Sequence, residues 1–208
     1  PPQIEAYRNK QRALLARNQN HIFAKGHVTI SDDEIRDSIV NNQLKVQKDR
    51  GTDVTIFSPR ASWMGQDLGN ESTSVAWTVI CNDLIRRVCD LFPRNFVPVC
   101  QLPQSPGASL DASITELTRC VEEMGFIGCN LNPDPSGGFW KDPRLGDRYW
   151  YPLYEKMIEL GVPAMIHVSG ACQRSLDTTS SYYLGADTTA FTQLLFSDVF
   201  IDFPDLKL

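Results

Sequence analysis

No run of apolar residues approaches the ~20 that a membrane-spanning helix requires, so the sequence contains no transmembrane helix. Lysine and arginine are scattered rather than clustered, and the net charge is −5. Neither nucleic acid nor an acidic membrane surface is therefore an expected partner. The opening residues, PPQIEAYRNKQR, are polar and lack the apolar core of a secretion signal. G-x-G-x-x-G and G-x-x-x-x-G-K are both missing, which leaves dinucleotide and P-loop readings without support. There is no nucleophile elbow and no Ser/His/Asp arrangement. Histidine is scarce, with only His21, His27 and His167. None of the six cysteines (Cys81, Cys89, Cys100, Cys120, Cys129 and Cys172) forms a C-x-x-C pair. Most lie inside apolar patterns, as reduced core thiols of a cytoplasmic protein do, rather than in a disulfide framework.

What is present is a repeated rhythm. The 208 residues, 42% hydrophobic and 22% charged, suffice for one sizeable domain. Residues 1–30 are polar and aperiodic, an expected irregular extension or loop. Ser31 with Glu34 is a capping box, and Ile35, Ile39 and Val46 continue a helix to a stop at Gly51. DVTIFSPR (53–60) reads as a strand. A helix over 72–91 carries Val75, Val79, Leu84, Val88 and Leu91, and NFVPVCQLP (95–103) is the next strand. A helix over 111–125 carries Ile114, Leu117 and Val121, followed by the strand FIGCNLNP (126–133). A helix over 147–161 carries Tyr151, Tyr154 and Ile158, followed by the strand PAMIHVSG (163–170). A helix over 186–200 leads to FPDLKL (203–208), the start of another strand.

Strands this apolar are buried on both faces, as in a parallel sheet flanked by helices. Doubly wound sheets and (β/α) barrels both fit. The strand ends favour the barrel. Ser58-Pro59-Arg60, Leu102-Pro103-Gln104, Asn130-Leu131-Asn132-Pro133 and His167-Val168-Ser169 all finish in polar side chains, and a barrel gathers such ends on one face. Four complete strands and the start of a fifth fall short of an eightfold barrel, which takes about 250 residues. The expected fold is thus α/β, a TIM-like (β/α) barrel incomplete in this chain, with about four to five βα units in one partial domain spanning 1–208.

His167 is the foremost candidate for chemistry, because a strand-end imidazole can aim into the site as a metal ligand. The alternative is a packed, hydrogen-bonded histidine, and a catalytic zinc needs about three protein ligands. Arg60 suits a substrate carboxylate through its planar fork, or an ion pair. Asn130 and Asn132 share a face by period-two alternation. Asn132 enters the turn Pro133-Asp134-Pro135-Ser136-Gly137-Gly138, so turn chemistry alone also accounts for it. Tyr183 lies in a loop entering a helix, where its hydroxyl can donate to a substrate oxygen or serve packing. Asp187 and Thr188 read equally as helix-start residues. Trp140, Tyr149, Trp150, Tyr151 and Tyr154 read as packing.

The segments ISDDEIRDSIVNNQLKVQKDRGTDVTIFSPRAS, CNDLIRRVCDLFPRNFVPVCQLPQSPG, GCNLNPDPSGG, DRYWYPLYEKMIELGVPAMIHVS and YYLGADTTAF resemble the 4-oxalomesaconate hydratases. These belong to the amidohydrolase superfamily, in the branch that includes aminocarboxymuconate-semialdehyde decarboxylase. The likeness runs from about residue 3 to residue 208, and LNPDPSGG and FSPRAS are its more specific parts. It implies a distorted barrel with one divalent metal, zinc. It also implies hydration of a carbon–carbon double bond of 4-oxalomesaconate, on the protocatechuate 4,5-cleavage route of aromatic breakdown. By position, His167 corresponds to the strand-end metal histidine and Tyr183 to a catalytic tyrosine lining the site. Arg60, Asn130, Asn132 and Ser169 are the expected substrate-binding residues. The expected partner is a small polycarboxylate, with no nucleic acid and no membrane, in a cytoplasmic homo-oligomer. The family's His-x-His pair and HGGG segment are expected before Pro1 and after Leu208, so the chain alone is expected neither to bind zinc tightly nor to turn over. A decarboxylase of the same branch, or a non-catalytic fragment binding a carboxylated ligand, remain the alternatives.

Overall fold

Ser31 opens the first helix by reciprocal capping: its Oγ accepts from the Glu34 N–H (3.2 Å) and the Glu34 carboxylate accepts from the Ser31 N–H (2.8 Å). The structure is a computed structural model that describes residues 30–59, 66, 69–173, 175–176 and 181–208. Helix α1 (Asp32–Ile39) passes through one wide π turn (Val40–Leu44) into α2 (Lys45–Arg50), which ends at Gly51. Apart from Ile30, the expected N-terminal extension lies outside the described residues, as do His21 and His27. Residues 31–208 form one compact unit.

The strands are β1 (Thr55–Phe57), β2 (Phe96–Pro98), β3 (Cys100–Gln101), β4 (Cys129–Leu131) and β5 (Ala164–Ile166), shorter than expected from their apolar runs. Every pairing is parallel: β1 with β2, β3 with β4, and β4 with β5. Val99 alone separates β2 from β3, and its N–H donates to the Phe57 carbonyl at 2.9 Å, so 96–101 is one extended run bridging both sheets. Strand order therefore follows chain order, as in a (β/α) barrel, whereas doubly wound sheets reverse at a switch point. Residues 203–208 form no strand, although the Lys207 carbonyl accepts from the first N–H of β5 at 3.0 Å.

In-register pairing divides the sheet chemically. Cys100, Cys129 and Ala164 are partners on one face, and Cys120, in the turn after helix α4 (Asp111–Thr118), is buried with its thiol directed at Glu116 Oε1 (3.4 Å). Leu117, Cys120, Leu131 and, from helix α5 (Tyr151–Glu159), Leu153, Tyr154 and Met157 are fully buried. Gln101, Asn130 and Met165 are the partners on the opposite face. All six cysteines are free. Burial pushes Cys129 up to about 12, and Cys81 and Cys89 to about 11, so these thiols stay protonated and inert.

Two expectations need correction. Helix α3 (Glu71–Leu91) does not bury the stripe Val75, Val79, Leu84, Val88 and Leu91; of these only Val88 is buried. Its buried face is Ser74, Thr78, Asn82, Ile85, Val88 and Cys89. The first half of that face is polar because it meets backbone that no strand covers. The Gln101 N–H donates to Asn82 Oδ1 (2.9 Å), and Asn82 Nδ2 donates to the Gln101 carbonyl (3.0 Å) and to Glu116 Oε1 (2.7 Å). One amide thus substitutes for a neighbouring strand. The second correction is that helix α6 spans Ser181–Leu195, not 186–200, with a short α7 at Val199–Asp202. Tyr183 accordingly sits in the first helical turn, and Asp187 and Thr188 lie within the helix rather than at its start.

Replacing Asn82 by leucine strands a buried peptide N–H and C=O and takes one donor from the Glu116 carboxylate, which keeps its pairing with Arg119. Asn82→Leu should lower unfolding free energy by about 2–4 kcal/mol, read from the urea midpoint at unchanged slope.

Candidate active site at the strand ends

Asn132 leaves β4 and is held from three directions. Its N–H donates to Gln104 Oε1 (2.8 Å), and Gln104 Nε2 returns a bond to the Asn132 carbonyl (2.9 Å), which ties the end of β3 to the end of β4. Its Nδ2 donates to Gln66 Oε1 (2.5 Å) and to Ser169 Oγ (2.9 Å). Its Oδ1 accepts from the Asp134 N–H (3.1 Å). Gln66 in turn donates to the Leu102 carbonyl at 2.9 Å. Both amide hydrogens of Asn132 are therefore engaged within the protein. Ser169, also buried, is fixed by the same contact. Asn130, two residues earlier on the same face, is fully buried, and neither side-chain atom has a hydrogen-bond partner among the described residues.

The next residues form a loop around a carboxylate. Asp134 is 1% exposed. Its Oδ1 accepts from the Ser136 N–H (3.2 Å), Ser136 Oγ (2.5 Å) and the Trp140 N–H (3.2 Å). Its Oδ2 accepts from the Gly138 N–H (2.6 Å) and the Tyr182 hydroxyl (3.0 Å). Gly137 and Gly138 have φ of 66° and 103°, which glycine adopts without strain. Any Cβ there would meet Cys172 Sγ at 2.8 Å or Leu176 Cδ1 at 2.6 Å. The Cys172 N–H donates to the Gly137 carbonyl at 2.9 Å, so this loop also holds the segment after β5.

His167 follows β5 directly and is half-buried, its N–H donating to the Leu131 carbonyl at 2.8 Å. Its Nδ1 lies 3.4 Å from the Val168 carbonyl. A proton on Nδ1 suits that contact and leaves the Nε2 lone pair for a ligand. Tyr183 is half-buried against Val168, Ala171, Tyr182 and Ala186. Arg60 lies outside the described residues. The structure therefore brings Asn130, Asn132, Ser169 and His167 to the adjoining ends of β4 and β5, with Tyr183 beside Val168. A zinc site takes about three protein ligands. No group of three His, Cys, Asp or Glu residues among the described residues can hold a metal, so these residues alone do not compose such a site.

Sequence reasoning passed over Gln66, Gln101, Gln104, Asp134 and Tyr182. Asp134, between two prolines and before Ser-Gly-Gly, carried a legible signal, since a short acidic side chain there accepts from the turn backbone. Tyr182 was obscured by the helix start placed five residues late.

The amidohydrolase family model matches residues 19–208. Over 207 residues the chain is 56% identical to 2-keto-4-carboxy-3-hexenedioate hydratase of Sphingobium sp. (strain NBRC 103272 / SYK-6), covering 100% of this chain and 60% of that protein. The crystal structure of 4-oxalomesaconate hydratase from Rhodopseudomonas palustris superposes with a TM-score of 0.81 at 48% identity, covering 100% of this chain and 58% of that one. Similarity to the 2-amino-3-carboxymuconate-6-semialdehyde decarboxylase of Dictyostelium discoideum is lower, 29% over 134 residues. The chain thus spans about three-fifths of the length of the two hydratases.

Two predictions follow from the loop chemistry. Tyr182→Phe removes one donor from a buried carboxylate and should destabilise by about 1–2 kcal/mol in urea unfolding. Asp142 accepts from the Gly107 N–H (2.7 Å), and burial raises its carboxyl above the ordinary value. The folded chain then holds that proton to higher pH than the unfolded chain does. The associated stability is complete in acid and is lost as pH rises through the raised value. Asp142→Asn should match the parent in acid and exceed it at neutral pH in melting curves taken across that range.

Proposed function

The chain belongs to the amidohydrolase family, its strands forming an open arc of that family's (β/α) barrel, and we propose that it serves a hydro-lyase acting on 4-oxalomesaconate or a close analogue. The reaction adds the elements of water across a carbon–carbon double bond, a hydroxyl to one carbon and a proton to the other. Identity of 56% along the whole chain to a hydratase carries this reading. The polar strand ends support it, because a substrate with several carboxylates needs a wall of donors rather than an apolar pocket.

In this reading Tyr183 moves a proton at a substrate oxygen, and Arg60 and Asn130 contact the substrate. Asn132 and Ser169 keep their place in the binding wall chiefly by holding each other and Gln66. The metal we propose is zinc, with His167 supplying one ligand through Nε2. We further propose a cytoplasmic homo-oligomer. The free thiols support the first term. Exposed Leu184, Phe191, Leu195 and Phe196 support the second, as an apolar patch that a second subunit can cover. No helix among the described residues is long and apolar enough to cross a membrane.

Incubation of the whole protein with 4-oxalomesaconate tests the reaction class: loss of substrate absorbance without CO₂ is the expected result. Stoichiometric CO₂ would establish decarboxylation instead. His167→Ala should lower metal content sharply when the protein is assayed by elemental analysis. Unchanged occupancy would reject the ligand role.

A further inference from the structure

Asn130 is a buried polar side chain that the fold does not use. Neither its Nδ2 nor its Oδ1 has a hydrogen-bond partner among the described residues, and its exposure is 0%. Its in-register neighbour on β3 is Gln101, also 0% exposed, whose Oε1 is unpartnered as well. Gln101 Nε2 reaches Thr78 Oγ1 only at the long distance of 3.5 Å. Parallel strands lie about 4.8 Å apart, so in-register side chains stand beside one another on one face.

Loose packing does not account for this. The other buried asparagines, Asn82 and Asn132, have both amide hydrogens and the amide oxygen engaged. Three unpartnered atoms on two adjacent buried amides are strongly unfavourable unless something satisfies them. The composition of the pair says what that is. Asn130 offers a donor edge and an acceptor edge whichever way its amide is turned, and Gln101 offers an acceptor. A carboxylate only accepts, and would lie against the bare Gln101 oxygen. A cation accepts no hydrogen bond, and would leave Asn130 Nδ2 unpaired. An uncharged O–H group does both.

We infer that Gln101 and Asn130 hold a bridging uncharged O–H group, a bound water or a hydroxyl of a bound acid, at the floor of the strand-end site. The bridge accepts from Asn130 Nδ2 and donates to Gln101 Oε1, which pairs one atom on each amide and satisfies two of the three open atoms. Of its two sources, only the hydroxyl rests on the proposed hydration reaction; the water does not.

Diffraction from the whole protein, alone and with the hydrated product, tests the inference. An ordered oxygen about 3 Å from both amides is expected. Its presence in the free protein identifies water, and its appearance only with product identifies the ligand hydroxyl. Both amides turned onto protein groups, with no such oxygen in either crystal, would overturn the proposal. Gln101→Met, which keeps the length and removes the acceptor, gives a second readout. If water is held, Tm should fall by about 2 °C. If a hydroxyl is held, KM should rise about tenfold with kcat little changed. A variant melting at or above the parent temperature with unchanged KM would show the amides to be merely orphaned. Should no turnover be found, the hydration reading fails while diffraction and melting still decide the water site.

Discussion

The strand-end region depends on one buried carboxylate, Asp134, that has no ion-pair partner among the described residues. Asp134 sits among neutral donors: three backbone N–H groups and two hydroxyls. Taking a carboxyl group out of water is costly, and several well-placed hydrogen bonds offset that cost. Those bonds require the chain to curl tightly, which is why Ser136, Gly137, Gly138 and Trp140 take the shape they do. Trp140 even adopts a φ of 49° to bring its N–H onto Oδ1. The curl positions the Gly137 carbonyl to receive the segment after β5, and the Tyr182 hydroxyl pins helix α6 to the same carboxylate. Three stretches far apart in sequence therefore share one anchor.

That anchor explains how two segments singled out by sequence belong together. LNPDPSGG and YYLGADTTAF are separated by more than forty residues, yet the Tyr182 hydroxyl donates to Asp134 and joins them. Burial and the neighbouring carboxylate both raise the Tyr182 phenol above its ordinary value, so it remains a donor. Its neighbour Tyr183 has no such duty. Adjacent positions on a helix point about 100° apart, so one tyrosine locks the helix while the other is left half-exposed beside Val168.

The alternation of strands and helices was legible because parallel strands bury both faces and read as apolar runs. The choice of a barrel over a doubly wound sheet rested on polar strand ends, and sequential strand order agrees with it. Helix faces were less legible. A search for apolar stripes on 72–91 selects valines and leucines, whereas the buried face begins with Ser74, Thr78 and Asn82. Those residues are buried for their hydrogen bonds to backbone, a partnership that periodicity of hydrophobicity cannot register. The start of helix α6 was missed for a related reason. Ser, Tyr and Gly near 181–185 look like loop residues locally, and helix formation there is reinforced by Tyr182 reaching into the Asp134 loop.

The two asparagines of CNLN show how far pattern carries and where it stops. Alternation puts both on one face and makes them equivalent candidates for binding. Their distance from the strand end separates them. Asn132 lies past the last paired residue of β4, where loops from β3 and β5 converge, so neighbouring backbone and side chains take up every one of its amide groups. Asn130 lies inside the ladder, where its own backbone is committed to the strands on either side and its amide faces other side chains in register. Only Gln101 and Met165 stand level with it, and neither supplies a hydrogen bond. A polar side chain there is difficult to justify as scaffold, since leucine or valine would pack the same position without an unmet amide. Of the two, Asn130 is the one the fold leaves unsatisfied, and Asn132, at the mouth of the turn, is the one the fold has already claimed.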